Sequence, residues 1–470
     1  MKATNPRTGQ PDYEFRADDA EAVAEEAHLL RDRQPEWEAM GPDGRAAILL
    51  QAADAVERHA QAITAALDID TGRSRIAAIE VQSFIASLRK WAQRGPELFA
   101  TLPEEASASA TPGIEIVSAW SAYPLFGAIA PWNFPVILSH IDAVPALMAG
   151  CAALVKPSEV TPRFVEPMRA ALAEVPDLPL AYVMGGAETG EALVEAVDYV
   201  CFTGSTQTGR KVAVAAAVRL IPANLELGGK DPLIVTASAD PAAAATLALR
   251  ASVVATGQAC QSIERIYVAQ QIAEPFLRHL TRQAEAVRTT GEDANGQLGP
   301  FIFPPQAQKV VEHIAAAEEE GATVLTGGSV DVHEGGRYLR PTVVTGVTPD
   351  MAVMREETFG PVLPVAVFDD IEDAIRQAND TPYGLSAAVF AGSLEEAESV
   401  GRRLNAGAVS LQDAALTSMV GDATNHSRGC SGLGPSRMGD EGMLRFLRRQ
   451  ALMRQTGQPA PLSAFAEGAN

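Results

Sequence analysis

The chain has 470 residues, 59 of them acidic and 37 basic, for a formal charge of −22; 47% are hydrophobic and 20% charged. That is a globular composition, long enough for two or three domains with sizeable cores. So acidic a field repels phosphate backbones and anionic bilayers, which excludes nucleic acid and membrane surfaces as expected partners.

The opening, MKATNPRTGQPDYEF, is polar, so no secretory signal is expected. From about Asp18 to Arg94, Ala, Leu and Ile recur every three or four residues among charges, which predicts amphipathic packing helices. After Pro112 the pattern changes. IEIVSAWSAYP reads as a strand, and FGAIAPWNFP as a second strand ending in a turn. CAALVKPSE, AYVMGG and VDYVCFTGS follow as short apolar strands, the last running into the helix QTGRKVAVAAAV. Short buried strands alternating with helices predict βαβ units and a parallel, doubly wound sheet, with ligands beyond the carboxyl ends of its strands.

A second α/β series begins after LELGGKDPLIVTA, with a long helix over PAAAATLALRASVVATG and the strand ERIYVA. The Gly-rich stretch MVGDATNHSRGCSGLGPSRMG is irregular, and the tail MLRFLRRQALMRQ is basic and half apolar. No run of about 18 apolar residues occurs, so no membrane span is expected and a cytoplasmic location is. The four cysteines, Cys151, Cys201, Cys260 and Cys430, form no CxxC pair and have no close His spacing, which argues against a disulfide framework or a zinc site. No metal is expected.

Four stretches can carry chemistry, and each has a plain structural alternative. The turn FTGSTQTG could present backbone N–H groups to a phosphate, or it could be an ordinary strand-to-helix turn. Lys156 and Glu159 could grip ribose hydroxyls, or form an exposed pair; with six lysines against 31 arginines, Lys156 and Lys230 draw notice. Glu226 lies between two leucines, where partial desolvation suits a general base, although a Glu bonded to backbone amides fits equally. Cys260 follows a helix ending at Gly257 among small or polar neighbours, so its thiol could be a nucleophile or inert filling. Cys151 and Cys201 sit in apolar strand patterns and are expected in the core.

Taken in order, APWNFP (130–135), VKPSE (155–159), FTGS (202–205), LELGGK (225–230), GQACQS (257–262), EETFGPV (356–362) and YGLSAAVF (383–390) resemble the motifs of the aldehyde dehydrogenase superfamily. The resemblance runs from Thr71–Gly72 through Arg449, and Glu226 precedes Cys260 by 34 residues. It implies the NAD(P)-dependent, non-phosphorylating, hydrolytic type. Cys260 would be the nucleophile, Asn133 with the Cys260 N–H the oxyanion donors, and Glu226 the base that activates water. Lys156 and Glu159 would hold the adenine ribose, and Glu159 would repel a 2′-phosphate, favouring NAD over NADP. Gly204 and Ser205 would lie near the pyrophosphate, Glu357 on the nicotinamide ribose, with Phe359 and Trp132 shaping the nicotinamide site. Phe134 would face the substrate.

The implied architecture is α/β: a Rossmann-like cofactor domain (1–108 and 124–228), an α/β catalytic domain (229–428) and a small β bridging element (109–123 and 443–457). A homodimer or homotetramer is expected through that element. Two departures stand out. Gln412 replaces the usual Asn, and Asn425, with His426 and Arg428 beside it, occupies the place of a substrate-channel aromatic. The substrate implied is an aldehyde, with a polar or bulky one entering past His426 and Arg428. The rivals are a CoA-acylating relative, a non-catalytic protein on the same scaffold, and a cofactor-free thiol esterase.

Overall fold

The computed structural model describes residues 1–103 and 105–468; Glu104, inside the first expected cofactor segment, and residues 469–470 of the tail lie outside the described residues. Three long helices, Ala20–Ala39, Gly41–Thr71 and Ser74–Phe99, occupy the predicted helical region. Asp19 caps the first by accepting the Ala22 N–H at 3.0 Å, and the left-handed Gly72 ends the second at φ 66°.

Five parallel strands follow: Leu125–Ile129, Ala152–Lys156, Leu180–Tyr182, Tyr199–Thr203 and Ala223–Glu226. Numbered along the chain, they lie side by side in the order third, second, first, fourth, fifth. This is a doubly wound sheet, and its order reverses between Leu125–Ile129 and Tyr199–Thr203. Period-two alternation splits its side chains between two cores. Phe126, Ala128, Val155, Tyr199 and Cys201 belong to the core that also takes in the second and third long helices. Leu125, Leu154, Val200, Phe202 and Leu225 pack on Ala20–Ala39, Ala187–Ala196 and Thr206–Arg219. Both faces are covered, so each strand is apolar throughout.

A second, seven-stranded sheet runs from Asp231–Val235 to Ala408–Leu411, parallel except for its edge strand Thr323–Thr326. Leu233, Ile266, Val343 and Val365 face the helices Pro241–Val253 and Gln270–Ala286. Ile234, Tyr267, Val344 and Val389 face Pro304–Glu319, Ile371–Asn379 and Leu394–Gly401. A third sheet pairs Ile114–Ala122 antiparallel with Leu447–Gln455, with Ser107–Ala108 on the other edge.

Cys151 and Cys201 are fully buried, as their apolar surroundings predict. One feature differs from the sequence reading. The helix before Cys260 stops at Val253, and a 3₁₀ turn over Val254–Gly257 replaces its expected last turn, with Ala255 at φ 57° and Thr256 at φ 61°. The stretch after residue 428, which the expected domain bounds leave unassigned, returns to the first sheet, where Gly432–Leu433 pairs antiparallel with Leu225–Glu226.

Candidate active site

Asn133 lies in the loop after strand Leu125–Ile129 and is 3% exposed. Its side-chain amide donates to the Gln258 carbonyl at 3.0 Å, and its own carbonyl accepts from Arg73. Glu80 receives the Val136 and Ile137 N–H groups at 3.0 and 3.3 Å, which fixes the start of helix Pro135–His140. On either side of Asn133, Trp132 meets the Phe359 ring edge-on at 5.5 Å and Phe134 lies under the Arg73 guanidinium at 5.1 Å.

The turn before Cys260 holds three consecutive left-handed residues, Ala255, Thr256 and Gly257. Left-handed backbone costs a non-glycine residue about 1–2 kcal/mol, so it persists only where its surroundings impose it. Here Thr256 donates to the Gly299 carbonyl at 3.1 Å, and Gln258 accepts the Ile302 N–H at 3.0 Å. A Cβ on Gly257 would lie 2.3 Å from the Gly360 carbonyl carbon, so the turn and the Phe359–Pro361 backbone touch only because residue 257 is glycine.

Cys260 is a free cysteine with partial exposure. Burial of its thiol, reinforced by Glu357, Asp231 and Glu226, pushes the thiol up to about 12, with Arg437 opposing. Glu226 ends its strand, its side chain 18% exposed. One oxygen accepts from Ser427 Oγ at 2.8 Å, and the other is 4.0 Å from Arg437 Nε. The glycines after it are spatially required. A Cβ on Gly228 would lie 2.6 Å from Glu357 Oε2, and one on Gly229 would lie 2.9 Å from the Cys260 carbonyl. LELGGK is therefore where the segments bearing Cys260, Glu226 and Glu357 converge.

Lys156 ends strand Ala152–Lys156, nearly buried, with its Nζ 3.4 Å from Glu159 and 3.3 Å from the Pro157 carbonyl. Burial lowers its proton affinity, and Glu159 opposes that. Gly204 and Ser205 follow strand Tyr199–Thr203, and Ser205 Oγ caps helix Thr206–Arg219 by accepting the Thr208 N–H at 3.3 Å. Three strand ends and a helix N-terminus thus meet at the switch point, where a dinucleotide would fit. Lys156 supplies an ammonium whose contacts are long, hence free to reorganise onto a ligand.

Glu357 accepts the Gly229 N–H at 3.1 Å; burial first and then Glu264 push its carboxyl up to about 7. Phe359 is left-handed at φ 57°. The sequence reading missed what holds this pair. Glu264 accepts the Thr358 and Phe359 N–H groups at 2.7 and 2.8 Å and Lys230 Nζ at 2.6 Å. Lys230 also donates to Thr358 Oγ1 at 3.0 Å. The available signal was a Glu-Arg pair inside the apolar run IERIYVA.

The divergent stretch is placed less simply. Asn425 bonds through its backbone N–H to Ser436 Oγ at 3.1 Å, His426 lies 3.6 Å from Glu441, and Arg428 reaches Asn405 at 3.4 Å. Among the described residues none of the three hydrogen-bonds to Cys260, Glu226 or Asn133. Ser427, which the sequence reading did not single out, is the member that touches the site.

A cysteine thiol, carboxylates and a buried side-chain amide gather beside a doubly wound sheet, the set of groups that a thiol-based enzyme of the dinucleotide-binding α/β class would use. The chain belongs to the aldehyde dehydrogenase family: the family model "Aldehyde dehydrogenase family" matches residues 1–452. Among its relatives, "Putative succinate-semialdehyde dehydrogenase [NADP(+)]" of Mycolicibacterium smegmatis is 37% identical over 440 residues, covering 92% of this chain and 84% of that protein. Among solved structures, "Putative Aldehyde Dehydrogenase PutA" from Anabaena variabilis matches with a TM-score of 0.95 and 47% identity, over 98% of this chain and 99% of the other. A betaine aldehyde dehydrogenase from Staphylococcus aureus in complex with NAD+ matches with a TM-score of 0.91 and 26% identity, over 99% and 94% of the two chains. The protein is an oxidoreductase of that family, with its α/β fold.

Proposed function

We propose that the protein oxidises an aldehyde to the free carboxylic acid with NAD, through a thioester on Cys260. The observation that carries this reading is the convergence at Gly228–Gly229, which sets the Cys260 backbone and the Glu357 carboxylate against the segment bearing Glu226.

The Cys260 thiol gives its proton to solvent water and Sγ bonds to the aldehyde carbon while the carbonyl π pair moves onto oxygen, giving a thiohemiacetal oxyanion. The Asn133 amide has one N–H on the Gln258 carbonyl and a second to give; with the Cys260 backbone N–H it stabilises the developing oxyanion. A bound nicotinamide supplies a two-electron acceptor for the hydride that leaves the substrate carbon. Lys156, Glu159, Gly204, Ser205, Glu357, Phe359 and Trp132 are the residues that would hold the dinucleotide. Glu226 then takes a proton from water, the hydroxyl adds to the thioester, and Cys260 departs as thiolate. Glu226 favours water over CoA as the resolving nucleophile, so the acylating rival ranks second.

NAD is proposed over NADP because Glu159 stands beside Lys156, where a 2′-phosphate would meet its charge. The Mycolicibacterium relative is named for NADP, so Glu159 is the position to test. Relatives named for succinate semialdehyde and for betaine aldehyde have substrates of opposite charge and do not choose one here. The Asn425–Arg428 stretch favours a polar or bulky aldehyde passing His426 and Arg428. Strand Leu447–Gln455 exposes its outer edge, which supports a homodimer or homotetramer formed through the third sheet. Among the described residues no helix is long and apolar enough to cross a membrane; four free thiols fit a reducing cytoplasm.

The test is NADH production from aliphatic, aromatic and carboxylated aldehydes, with NAD or NADP and with or without CoA. Cys260→Ala should abolish it; residual turnover in that variant overturns the mechanism. An unchanged substrate ranking in Arg428→Ala removes the substrate reading.

A further inference from the structure

Behind Glu226 lies a charged cluster that the proposed reaction does not yet use. Arg437 is buried, its side chain 6% exposed. Its Nη2 donates to Asp142 Oδ2 at 2.7 Å and to Thr203 Oγ1 at 2.8 Å. Asp142 is shared, because its other oxygen accepts from Arg445, itself buried. Two guanidinium groups on one carboxylate leave one positive charge without a counter-charge in the interior, an arrangement that burial penalises. Arg437 Nε is buried with no hydrogen-bond partner among the described residues, and the carboxylate it approaches is Glu226, at 4.0 Å.

We infer that Arg437 is a positioning residue for Glu226: its cation is the counter-charge that draws one carboxylate oxygen back, while Ser427 holds the other oxygen. This inference rests on Glu226 being the base of the proposed reaction. The 4.0 Å separation is too long for a hydrogen bond, so charge attracts the carboxylate without locking it. A carboxylate held that way can move toward a thioester on Cys260. Thr203 and Asp142 pin the arginine from behind, so the arginine cannot follow.

Among the described residues, the elements around Glu226 bring no competing cation to it. The adjacent strand Tyr199–Thr203 offers Cys201 and Thr203, both neutral, and Gly432–Leu433 offers none. On helix Thr206–Arg219, Arg210 is directed to Cys430 Sγ at 3.5 Å. Arg428 turns to Asn405. The carboxyls of Glu357, Asp231 and Glu226 all push the Cys260 thiol up, and that neutral thiol brings no cation. Arg437 is thus the cation in reach of Glu226 among the described residues.

The test measures kcat together with the pre-steady-state burst of NADH, in wild type, Arg437→Met and Arg437→Lys. Losing the cation releases Glu226 from its set-back position, so hydrolysis should slow and kcat in Arg437→Met should fall at least tenfold. The burst amplitude should stay, because acylation is spared, and Arg437→Lys should restore at least half of the loss. An unchanged kcat, or a burst lost in step with kcat, overturns the inference. Should Arg437→Met fail to fold, the reciprocal measurement decides. Glu226→Gln strips Arg437 of its counter-charge and should lower Tm by several degrees, more than Ser427→Ala does; an unchanged Tm overturns the inference. The underlying reaction fails separately, by full dehydrogenase turnover in Glu226→Gln or Cys260→Ala.

Discussion

A Cβ placed on Gly229 would lie 2.9 Å from the carbonyl oxygen of Cys260. That contact ties the segment bearing the proposed base to the one bearing the proposed nucleophile. Gly229→Ala should therefore displace the Cys260 backbone and, with it, the oxyanion N–H. Removing one such donor costs about 3–4 kcal/mol of transition-state stabilisation, so kcat should fall by about 10²–10³ with the fold retained. Steady-state kinetics with circular dichroism checks this, and a fall of less than tenfold would show that the backbone accommodates the methyl group.

Glu264 carries two backbone amides of the Glu357–Phe359 segment and the buried Lys230 ammonium. Glu264→Gln orphans that ammonium, and breaking a buried ion pair costs about 3–5 kcal/mol. Denaturant unfolding should show a loss of that order. Where the variant folds, the KM for the dinucleotide should rise more than the KM for the aldehyde. Equal changes in both would mean that Glu264 supports the whole site rather than the cofactor segment.

Glu357 is held near neutrality by burial, its carboxyl raised to about 7 from an ordinary 4.5. The folded chain thus binds a proton that the unfolded chain releases between these values. The associated stability is fully present below pH 4.5 and is lost as pH rises through about 7. Glu357→Gln removes this dependence, so the variant should match wild type near pH 4.5 and exceed it by about 1–3 kcal/mol at pH 8. Paired urea titrations at the two pH values test it; a wild type that gains on the variant as pH rises has the wrong sign.

The Cys260 thiol is raised to about 12 by burial and three nearby carboxyl groups. In the ligand-free protein, alkylation of Cys260 by iodoacetamide should be slow at pH 7 and climb steadily to pH 10, since the thiolate is the reacting form. Peptide mapping of the labelled residue checks it. A plateau below pH 8 would mean that the thiolate is stabilised in a way this geometry lacks.

Leu452 and Met453 lie exposed on strand Leu447–Gln455, at the free edge of the third sheet. If copies of the chain meet there, Leu452→Lys with Met453→Lys should shift the protein toward monomer in sedimentation while leaving its secondary structure intact. An unchanged sedimentation coefficient would move the interface elsewhere, for instance to the exposed Val214 and Val218 on helix Thr206–Arg219.

Much of this protein is legible in its sequence, because the information is local. Short apolar strands such as VDYVCFT and amphipathic helices such as those before Arg94 carry their own local pattern, and burial on both faces makes the strands apolar throughout. The doubly wound first sheet and the order of the motifs follow from that. What local pattern does not contain is which distant groups meet. Glu264 is a charge within an apolar strand until Lys230 and Thr358 fold against it. Ser427 and Arg437 lie in a stretch whose sequence signals only turns, and they reach Glu226 because Gly432–Leu433 pairs with the strand that Glu226 ends. The alanine-rich sequence favours helix through Val254–Gly257, but contacts with Gly299 and Ile302 hold that turn left-handed. Local propensity is worth tenths of a kcal/mol per residue, whereas a buried charge or close backbone contact is worth several; where the two compete, tertiary structure decides.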